Sequence, residues 1–264
     1  MSEITERILS FVDQHKLAPD APCSCQSGQI FGDCCGSAAP DRPPPHGIHI
    51  QPNVVPGSYC HRLLSYARKQ PKRWLSIVRP QAASQQMFKK QDEDRVAREV
   101  KLGKWRPKVL KTVESNFRDL IRTEFDQTLL WFEEPNLLFY SEGGFYAPHA
   151  DSHAYFAGQQ TWQKAMDRDY SMLFYLNDDY EGGHVNFMMF NYRYKPKKGD
   201  LILFPSDHRY VHTAEPVTRG NRFAIVSWAA VRESRKVGLR PPREAHMVDS
   251  TSTTTGPAPT STYP

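Results

Sequence analysis

A chain of 264 residues is long enough to bury one substantial hydrophobic core and to carry a second, smaller unit. Its net charge of +5 is spread over segments with helical patterning, which favours a solvated surface over a nucleic-acid site while leaving contact with RNA open. No apolar run is long enough to span a membrane and the first residues lack a signal-peptide pattern, so we expect a cytoplasmic protein with no membrane partner.

Residues 1–36 combine a short amphipathic helix, over 2–16, with a cluster of cysteines. Four of the five cysteines of the chain fall close together, at Cys23, Cys25, Cys34 and Cys35. In a cytoplasmic chain such clustering favours a metal over disulfides, and four thiolates complete a closed tetrahedral site for structural Zn(II). A group of metal-free thiols is the alternative. The fifth cysteine, Cys60, is predicted to be a buried core thiol.

The remaining chain divides by composition into three segments. Residues 37–46 are proline-rich and predict a stiff linker, 47–235 have the patterning of a folded domain, and 236–264 predict a disordered tail. Within the domain, helical periodicity occurs at 58–69, 94–102 and 108–125, and strand-like runs occur at 47–51, 129–140, 171–177, 184–190, 200–204 and 222–228. The domain is therefore predicted to be mainly β with supporting helices.

Two polar side chains suggest a metal site within the domain. His149 and Asp151 are two residues apart, so in an extended segment both leave the same face of the chain. With a distant second imidazole they would form a 2-His-1-carboxylate triad, which binds Fe(II) and leaves positions open for a cosubstrate and oxygen. On its own the pair also fits a polar surface turn. His208 and His212 are the candidates for the second imidazole.

Arg222 opens an apolar, strand-like run that ends near Trp228. Alternation places Arg222 and Trp228 on one face of that strand. A buried guanidinium needs an anion, because an unpaired buried charge is very costly, and its planar fork suits a carboxylate. We therefore predict that Arg222 binds a carboxylate.

These residues belong to an ordered series of motifs. The series comprises Tyr140-x-x-Gly-Gly-x-Tyr-x-x-His149-x-Asp151, Tyr175-Leu-Asn, Glu-Gly-Gly183, Lys-Lys-Gly-Asp-Leu-Ile-Leu-Phe204, His212-x-x-x-Pro-Val-x-x-Gly-x-Arg222 and Trp228. It resembles the catalytic domain of the 2-oxoglutarate- and Fe(II)-dependent oxygenases, specifically the prolyl 4-hydroxylase-like group. The resemblance implies a double-stranded β-helix, a jelly-roll or cupin-like pair of sheets with the metal between them.

The resemblance also implies roles for the site residues. His149, Asp151 and His212 would bind Fe(II), with His212 preferred over His208 because its distance from Arg222 and the Glu-Pro-Val that follows match the family. Arg222 and Tyr175 would bind the distal carboxylate of 2-oxoglutarate. Tyr140 would lie near the end that chelates the metal, and Trp228 would line the pocket. Ordinary core packing is the alternative for Tyr140, Tyr175 and Trp228.

The implied activity is oxidative decarboxylation of 2-oxoglutarate to succinate and CO2, with O2 as cosubstrate and hydroxylation of a C–H bond. The substrate expected first is a prolyl or other side chain of a protein. A small-molecule hydroxylase acting on a free amino acid or secondary metabolite is one alternative, and a non-catalytic adaptor is another. The cysteine pattern resembles the SEC-C zinc motif, which implies contact with a protein, including a ribosomal or translation-associated partner. The polar insertion at 152–169 follows the first two ligands, so we expect it to overhang the site.

Overall fold

The computed structural model describes residues 3–23, 27–37, 42–75, 77–81, 84–90, 94–156, 159 and 161–248. Its α-helices are α1 (Glu3–His15), α2 (Gly57–Lys69) and α3 (Arg106–Phe125). Short 3-10 turns lie at Phe31–Asp33, Gly103–Trp105, Met188–Phe190 and His208–Tyr210. The helices predicted over 2–16, 58–69 and 108–125 are thus confirmed. Among the described residues, no helix has both the length and the apolar character needed to cross a bilayer.

The strands are short and occur along most of the chain. In order they are β1 (His49–Gln51), β2 (Lys72–Trp74), β3 (Ile77–Gln81), β4 (Ser84–Lys90), β5 (Arg98–Val100), β6 (Leu129–Glu133), β7 (Asn136–Tyr140), β8 (Tyr146–His149), β9 (His153–Phe156), β10 (Thr161–Lys164), β11 (Tyr170–Tyr175), β12 (Tyr180–Gly182), β13 (Val185–Phe187), β14 (Tyr192–Tyr194), β15 (Leu201–Pro205), β16 (His212–Ala214), β17 (Val217–Gly220), β18 (Arg222–Val231) and β19 (Ala245–Met247).

These strands form two principal sheets, both antiparallel. The major sheet has nine strands in the order β1-β15-β11-β18-β7-β5-β2, with β6 bridging β18 and β19. The minor sheet has the order β14-β13-β16-β8, and β9 with β10, β12 with β17, and β3 with β4 form separate pairs. This mostly β arrangement confirms the predicted double-stranded β-helix.

The major sheet is apolar on both faces because each face covers a different core. Along β15, Leu201 and Leu203 pack with the helices, whereas Ile202 and Phe204 pack with residues of the minor sheet. The same alternation in β18 sends Phe223 towards the helices and Ala224 between the sheets. The chemistry-bearing side chains of β11 and β18 are therefore enclosed between two layers.

Helices α2 and α3 cover the outer face of the major sheet. Leu63 of α2 and Phe117 and Ile121 of α3 are fully buried in the core that they share with this sheet. Burial of such side chains contributes about 1.5–3 kcal/mol each. The position of Cys60, fully buried in the same core, agrees with the prediction of a core thiol.

The helix predicted over 94–102 is wrong. The centre of this segment is β5, which pairs with both β2 and β7 at the edge of the major sheet. Val100, the last residue of β5, is buried in the core beneath the helices. Pairing with β7 supplies the backbone hydrogen bonds and outweighs the local helical pattern.

The disordered tail predicted over 236–264 also requires correction. Residues 245–247 form β19, which pairs with β6 in the register of His246 with Phe132. The His246 ring stacks on Phe132 at a centroid distance of 5.1 Å, and Val248 after the strand is buried. Prolines and charged residues flank this short strand, and their composition is typical of a disordered segment. Residues 249–264 lie outside the described residues.

The predicted division at 1–36, 37–46 and 47–235 stays a prediction. Part of the proline-rich segment, 38–41, lies outside the described residues. Its described part is tied to the domain, because the Arg42 guanidinium donates to the carbonyls of Phe190 and Asn191 at 3.1 and 2.6 Å.

Removal of β19 tests the correction made for the tail. We expect a chain ending at Glu244 to unfold with about 1–3 kcal/mol less stability than a chain ending at Val248, because it loses the burial of Val248 and the strand pairing with β6. Urea unfolding of the two truncated chains measures the difference. Equal midpoints would contradict a structural role for β19.

Candidate active site

Antiparallel pairing of β8 with β16 brings two distant histidines together. His149 ends β8 and lies directly opposite His212, the first residue of β16. The two imidazole centroids are 4.3 Å apart, and Asp151 follows two residues after His149. One nitrogen from each ring and a carboxylate oxygen of Asp151 all lie within 4.8 Å of one another. The structure thus brings the three predicted iron ligands together.

Hydrogen bonds fix the orientation of both rings. His149 Nδ1 lies 2.8 Å from the carbonyl of Ala147, and His212 Nδ1 lies 3.0 Å from the carbonyl of Tyr210. A carbonyl only accepts, so each Nδ1 carries a hydrogen, and Nε2 is the nitrogen of each ring that is left to bind a metal. Both Nε2 atoms are directed at Asp151, at 3.6 and 3.7 Å from its two carboxylate oxygens.

The protonation states suit metal binding. Burial, together with the neighbouring His149, lowers the pKa of His212 to about 4, so this imidazole is neutral at pH 7. Burial alone would raise the pKa of Asp151, but the two imidazoles and the hydrogen bond from Ser171 hold it well below its usual range. Asp151 is therefore ionised while His212 is neutral, which are the states that a metal requires.

This donor set fits a divalent cation. The Nε2 atoms of the neutral His212 imidazole and of the His149 ring face an anionic carboxylate at distances too long for hydrogen bonds. Such a cluster of acceptors is unfavourable by itself, and a cation between them removes the repulsion. Two histidines and one carboxylate are the ligand set of non-haem Fe(II) oxygenases.

Neighbouring side chains hold each ligand in place. The Ser171 hydroxyl donates to Asp151 Oδ2 at 2.6 Å and also contacts the Ser206 hydroxyl at 2.7 Å. The ring of Tyr146 stacks on His149 with centroids 3.6 Å apart. The rings of Phe187 and Phe204 lie 5.7 and 4.8 Å from His212, in tilted and edge-on arrangements.

Sequence reasoning did not assign roles to Ser171 or Tyr146. Ser171 lies on the same face of its strand as Tyr175, so alternation along β11 was a usable signal for it. Tyr146 lies within the quoted motif that ends at Asp151, but nothing in its spacing indicated that it would stack on His149.

Arg222 is buried beside the triad-bearing layer, with only 2% of its surface exposed. Its guanidinium lies 4.0 Å above the ring of Tyr140, and one terminal nitrogen donates to the carbonyl of Gly183 at 2.9 Å. Within the described part of the chain, its Nε has no hydrogen-bond partner and no carboxylate forms an ion pair with it. The orphaned donor and the unbalanced buried charge fit an anionic ligand.

Gly183 permits this arrangement. Its φ of +60° is unfavourable for other residues, and a Cβ there would meet the Tyr180 ring at 2.9 Å. The tight backbone places the Gly183 carbonyl within reach of Arg222. The hydroxyl of Tyr180 is buried without a partner among the described residues, so it adds a second unused donor to this region.

The remaining cosubstrate candidates are also inside the barrel. Tyr175 of β11 is buried, and burial raises the pKa of its phenol, which keeps it a hydrogen-bond donor. Tyr140 lies opposite Arg222 in the pairing of β7 with β18. Trp228 lies further along, under the guanidinium of Arg168 at 3.8 Å, and its indole nitrogen is buried without a partner in the described chain.

His208 lies in a different environment from the triad. Its ring stacks on Trp162 at 5.9 Å and lies 5.2 Å from His153, both on the β9–β10 hairpin. The polar insertion predicted at 152–169 contains this hairpin. His184 lies 3.6 Å from Glu215 and also lies outside the triad. The geometry therefore favours His212 over its competitors.

Three of the four predicted zinc ligands cluster as well. The sulfur atoms of Cys23, Cys34 and Cys35 lie within 4.8 Å of one another, and the Ser27 hydroxyl lies 3.2 Å from Cys34 Sγ. The fourth, Cys25, lies outside the described residues. A group of thiols at this separation fits a tetrahedral zinc ion.

Comparison with known proteins agrees with the geometry. Residues 135–230 match the family described as the 2OG-Fe(II) oxygenase superfamily. Prolyl 3-hydroxylase 2 of Rattus norvegicus is 42% identical over 66 residues, covering 23% of this chain and 9% of that protein. Probable prolyl 4-hydroxylase 3 of Arabidopsis thaliana is 29% identical over 158 residues, covering 50% of this chain and 53% of that protein.

Among solved structures, a prolyl hydroxylase from Trichoplax adhaerens, in complex with a peptide fragment of hypoxia inducible factor, superimposes with a TM-score of 0.54. It is 17% identical, and the match covers 70% of this chain and 84% of that one. The likeness therefore concerns the fold alone, and this chain spans about half the length, or less, of the two curated relatives. The matched residues include the triad and Arg222, so residues 135–230 match a 2OG-Fe(II) oxygenase domain and this part of the chain is similar to prolyl hydroxylases.

Proposed function

We propose that the protein is an Fe(II)- and 2-oxoglutarate-dependent hydroxylase that acts on a side chain of another protein, with proline as the first candidate. The observation that carries this proposal is the opposition of His149 and His212 around Asp151, with their lone pairs directed inwards. The unbalanced charge of Arg222 in the same barrel supports a carboxylate cosubstrate.

Each residue has a distinct task in this proposal. His149, Asp151 and His212 would hold Fe(II) on one side and leave the opposite positions open. Arg222 would grip the distal carboxylate of 2-oxoglutarate, with the Tyr175 phenol as a second donor. When bound, the iron and 2-oxoglutarate supply the oxidising power, through decarboxylation to succinate and CO2. The apolar residues of the two layers would limit the access of water to this space.

The proposal of a protein substrate is supported by the relatives of this chain and by its cysteine cluster. The curated relatives are named prolyl 3- and prolyl 4-hydroxylases, and the Trichoplax structure contains a peptide. Identity of 29% over half the chain supports the reaction class more strongly than the substrate. The cysteine cluster, by its resemblance to SEC-C motifs, would bring in a ribosomal or translation-associated partner.

Succinate production tests the activity. We expect wild-type protein loaded anaerobically with Fe(II) to form succinate from 2-oxoglutarate after oxygen is admitted. Loss of a ligand in His212→Ala should lower turnover by more than the roughly 10–100-fold that loss of an outer hydrogen-bond partner costs. His208→Ala is the matched control, because this neighbouring histidine contacts Trp162 and not the triad. Equal loss in both variants, or no turnover by wild type, would contradict the proposal.

Replacement of Arg222 tests the carboxylate site separately. We expect Arg222→Gln to raise the KM for 2-oxoglutarate roughly 10–100-fold, because a charge-assisted hydrogen bond contributes about 1.5–3 kcal/mol. Arg222→Lys should lose less, since it keeps the charge without the planar fork. Steady-state kinetics with varied 2-oxoglutarate measures the change. An unchanged KM in the glutamine variant would place the cosubstrate elsewhere.

Incubation with proteins and with metabolites distinguishes the substrate classes. We expect cell lysate treated with the loaded enzyme to contain peptides that gain the mass of one oxygen atom at a prolyl or other side chain. Such gain should depend on 2-oxoglutarate and be absent with the His212→Ala variant. Oxidation of a free amino acid or other small metabolite, with no peptide modified, would favour the small-molecule alternative.

Loss of the hydrogen bond to Asp151 tests how the carboxylate is held. We expect Ser171→Ala to weaken Co(II) binding at the triad by roughly 10–100-fold, because ligand-supporting hydrogen bonds orient metal ligands. Ser206→Ala is the control, since Ser206 is equally buried and touches Ser171 but forms no hydrogen bond with Asp151. Spectroscopic Co(II) titration measures both affinities. An equal effect in both variants would argue against a specific role for Ser171.

A further inference from the structure

Helix α1 packs directly on the backbone that carries the triad. Ile8 and Val12 on its inner face are buried against Val211, the residue before His212. Ala150, which separates His149 from Asp151, packs against the same cluster. The helix therefore touches both segments from which the ligands project.

Aromatic contacts extend this packing to the β9–β10 hairpin. Phe11 of α1 lies 6.0 Å from Tyr155 and 5.5 Å from Trp162, measured between ring centroids. The hairpin begins two residues after Asp151. The hairpin that follows the first two predicted iron ligands thus packs against α1.

The cysteine cluster lies behind the second histidine. Cys23, Phe31 and Cys35 are buried in one cluster with Phe187 and Phe204. The last two rings contact the His212 imidazole. The buried thiols and the two rings that contact an iron ligand therefore belong to one apolar cluster.

The chain between the two features is short and hydrogen-bonded. After α1 ends, Leu17 packs into the cluster that contains the cysteines. The amides of Phe31 and Gly32 then donate to the carbonyls of Ala21 and Pro19, both at 2.7 Å. The thiol cluster is in this way tied to the C-terminal end of α1.

Helix α1 needs such support. It has 13 residues, and isolated helices of this length are marginal in water. Metal binding by thiolates is coupled to folding of the segment that carries them, so a metal at the cluster stabilises the anchor of α1. Metal ligands in turn must be held to within about 0.5 Å of a productive geometry, so the packing behind them matters.

We propose that α1 positions the iron-ligating residues, and that a metal at the Cys23, Cys34 and Cys35 cluster fixes α1, so that zinc at the cluster strengthens iron retention at the triad. Ile8 and Val12 are positioning residues, since they act through Ala150 and Val211. The inference rests on the proposed function in one respect, that the triad binds iron.

The first test measures both metals in the same purified chains. Wild type, Cys34→Ser/Cys35→Ser and Ile8→Ala/Val12→Ala are loaded anaerobically with Fe(II) and Zn(II), desalted, and analysed for metal content and Fe(II) affinity. We expect the cysteine variant to lose zinc and to bind Fe(II) roughly 10–100-fold more weakly, as when outer support of a ligand is lost. The Ile8→Ala/Val12→Ala variant should keep zinc and lose Fe(II) affinity.

Control variants separate positioning from general destabilisation. Glu6→Ala/Ser10→Ala changes the exposed face of α1 and should leave Fe(II) affinity unchanged. Cys60→Ala weakens the distant core without touching either site and should lower the melting temperature but not Fe(II) affinity. Ile8→Val/Val12→Ile conserves the apolar face of α1 and should bind Fe(II) with the affinity of wild type.

The outcomes distinguish failure of the inference from failure of the proposed function. If wild type retains iron and the zinc-free variant retains it equally well, the inference is contradicted while the proposed function stands. Wild type that retains no iron overturns the proposed function and the inference with it. If the cysteine variant does not fold, Ile8→Ala/Val12→Ala decides: Fe(II) affinity equal to that of wild type overturns the positioning role.

Discussion

The site depends on one backbone register, the pairing of His149 with His212 across β8 and β16. This register places two imidazoles with inward-facing lone pairs on either side of an ionised carboxylate. Such an arrangement is repulsive without a cation, so the apolar surroundings and the hydrogen bonds to Ala147 and Tyr210 must hold it. A slip of one residue in β16 would turn His212 to the opposite face and remove the site.

The alternation of side chains along the strands builds the outer core and also places the functional polar residues on the inner face. Residues of β11, β15 and β18 that face outwards are buried under α2 and α3, and those that face inwards lie between the sheets. Ser171, Tyr175 and Arg222 share the inner side without interrupting the hydrophobic pattern of the outer one. Apolar packing on the outer face therefore fixes the direction of the polar groups on the inner face.

The iron ligands, the carboxylate-binding arginine and most of the strands could be predicted from the sequence, because their signals are local or periodic. The His-x-Asp spacing fixes a shared face, and Arg222 within an apolar strand requires an anion. Long-range pairing explains what was missed. The strand at β5 requires β7 as its partner, and β19 requires β6, so neither local pattern could indicate it. The hydrogen bond from Ser171 to Asp151 likewise joins residues whose contact depends on the complete barrel.

Residues 1–36 are predicted to form a separate unit before the proline-rich segment, and the described residues of this unit share apolar surface with the domain. Ile8 and Val12 bury their side chains in one cluster with Val211, and Phe31 belongs to the same apolar cluster as Phe204. A small unit of this length has too little core of its own, so packing on the domain stabilises it while it supports the ligands. A partner that binds the exposed face of this unit would therefore act on the geometry of the triad through contacts that already exist, rather than only bring a substrate near it.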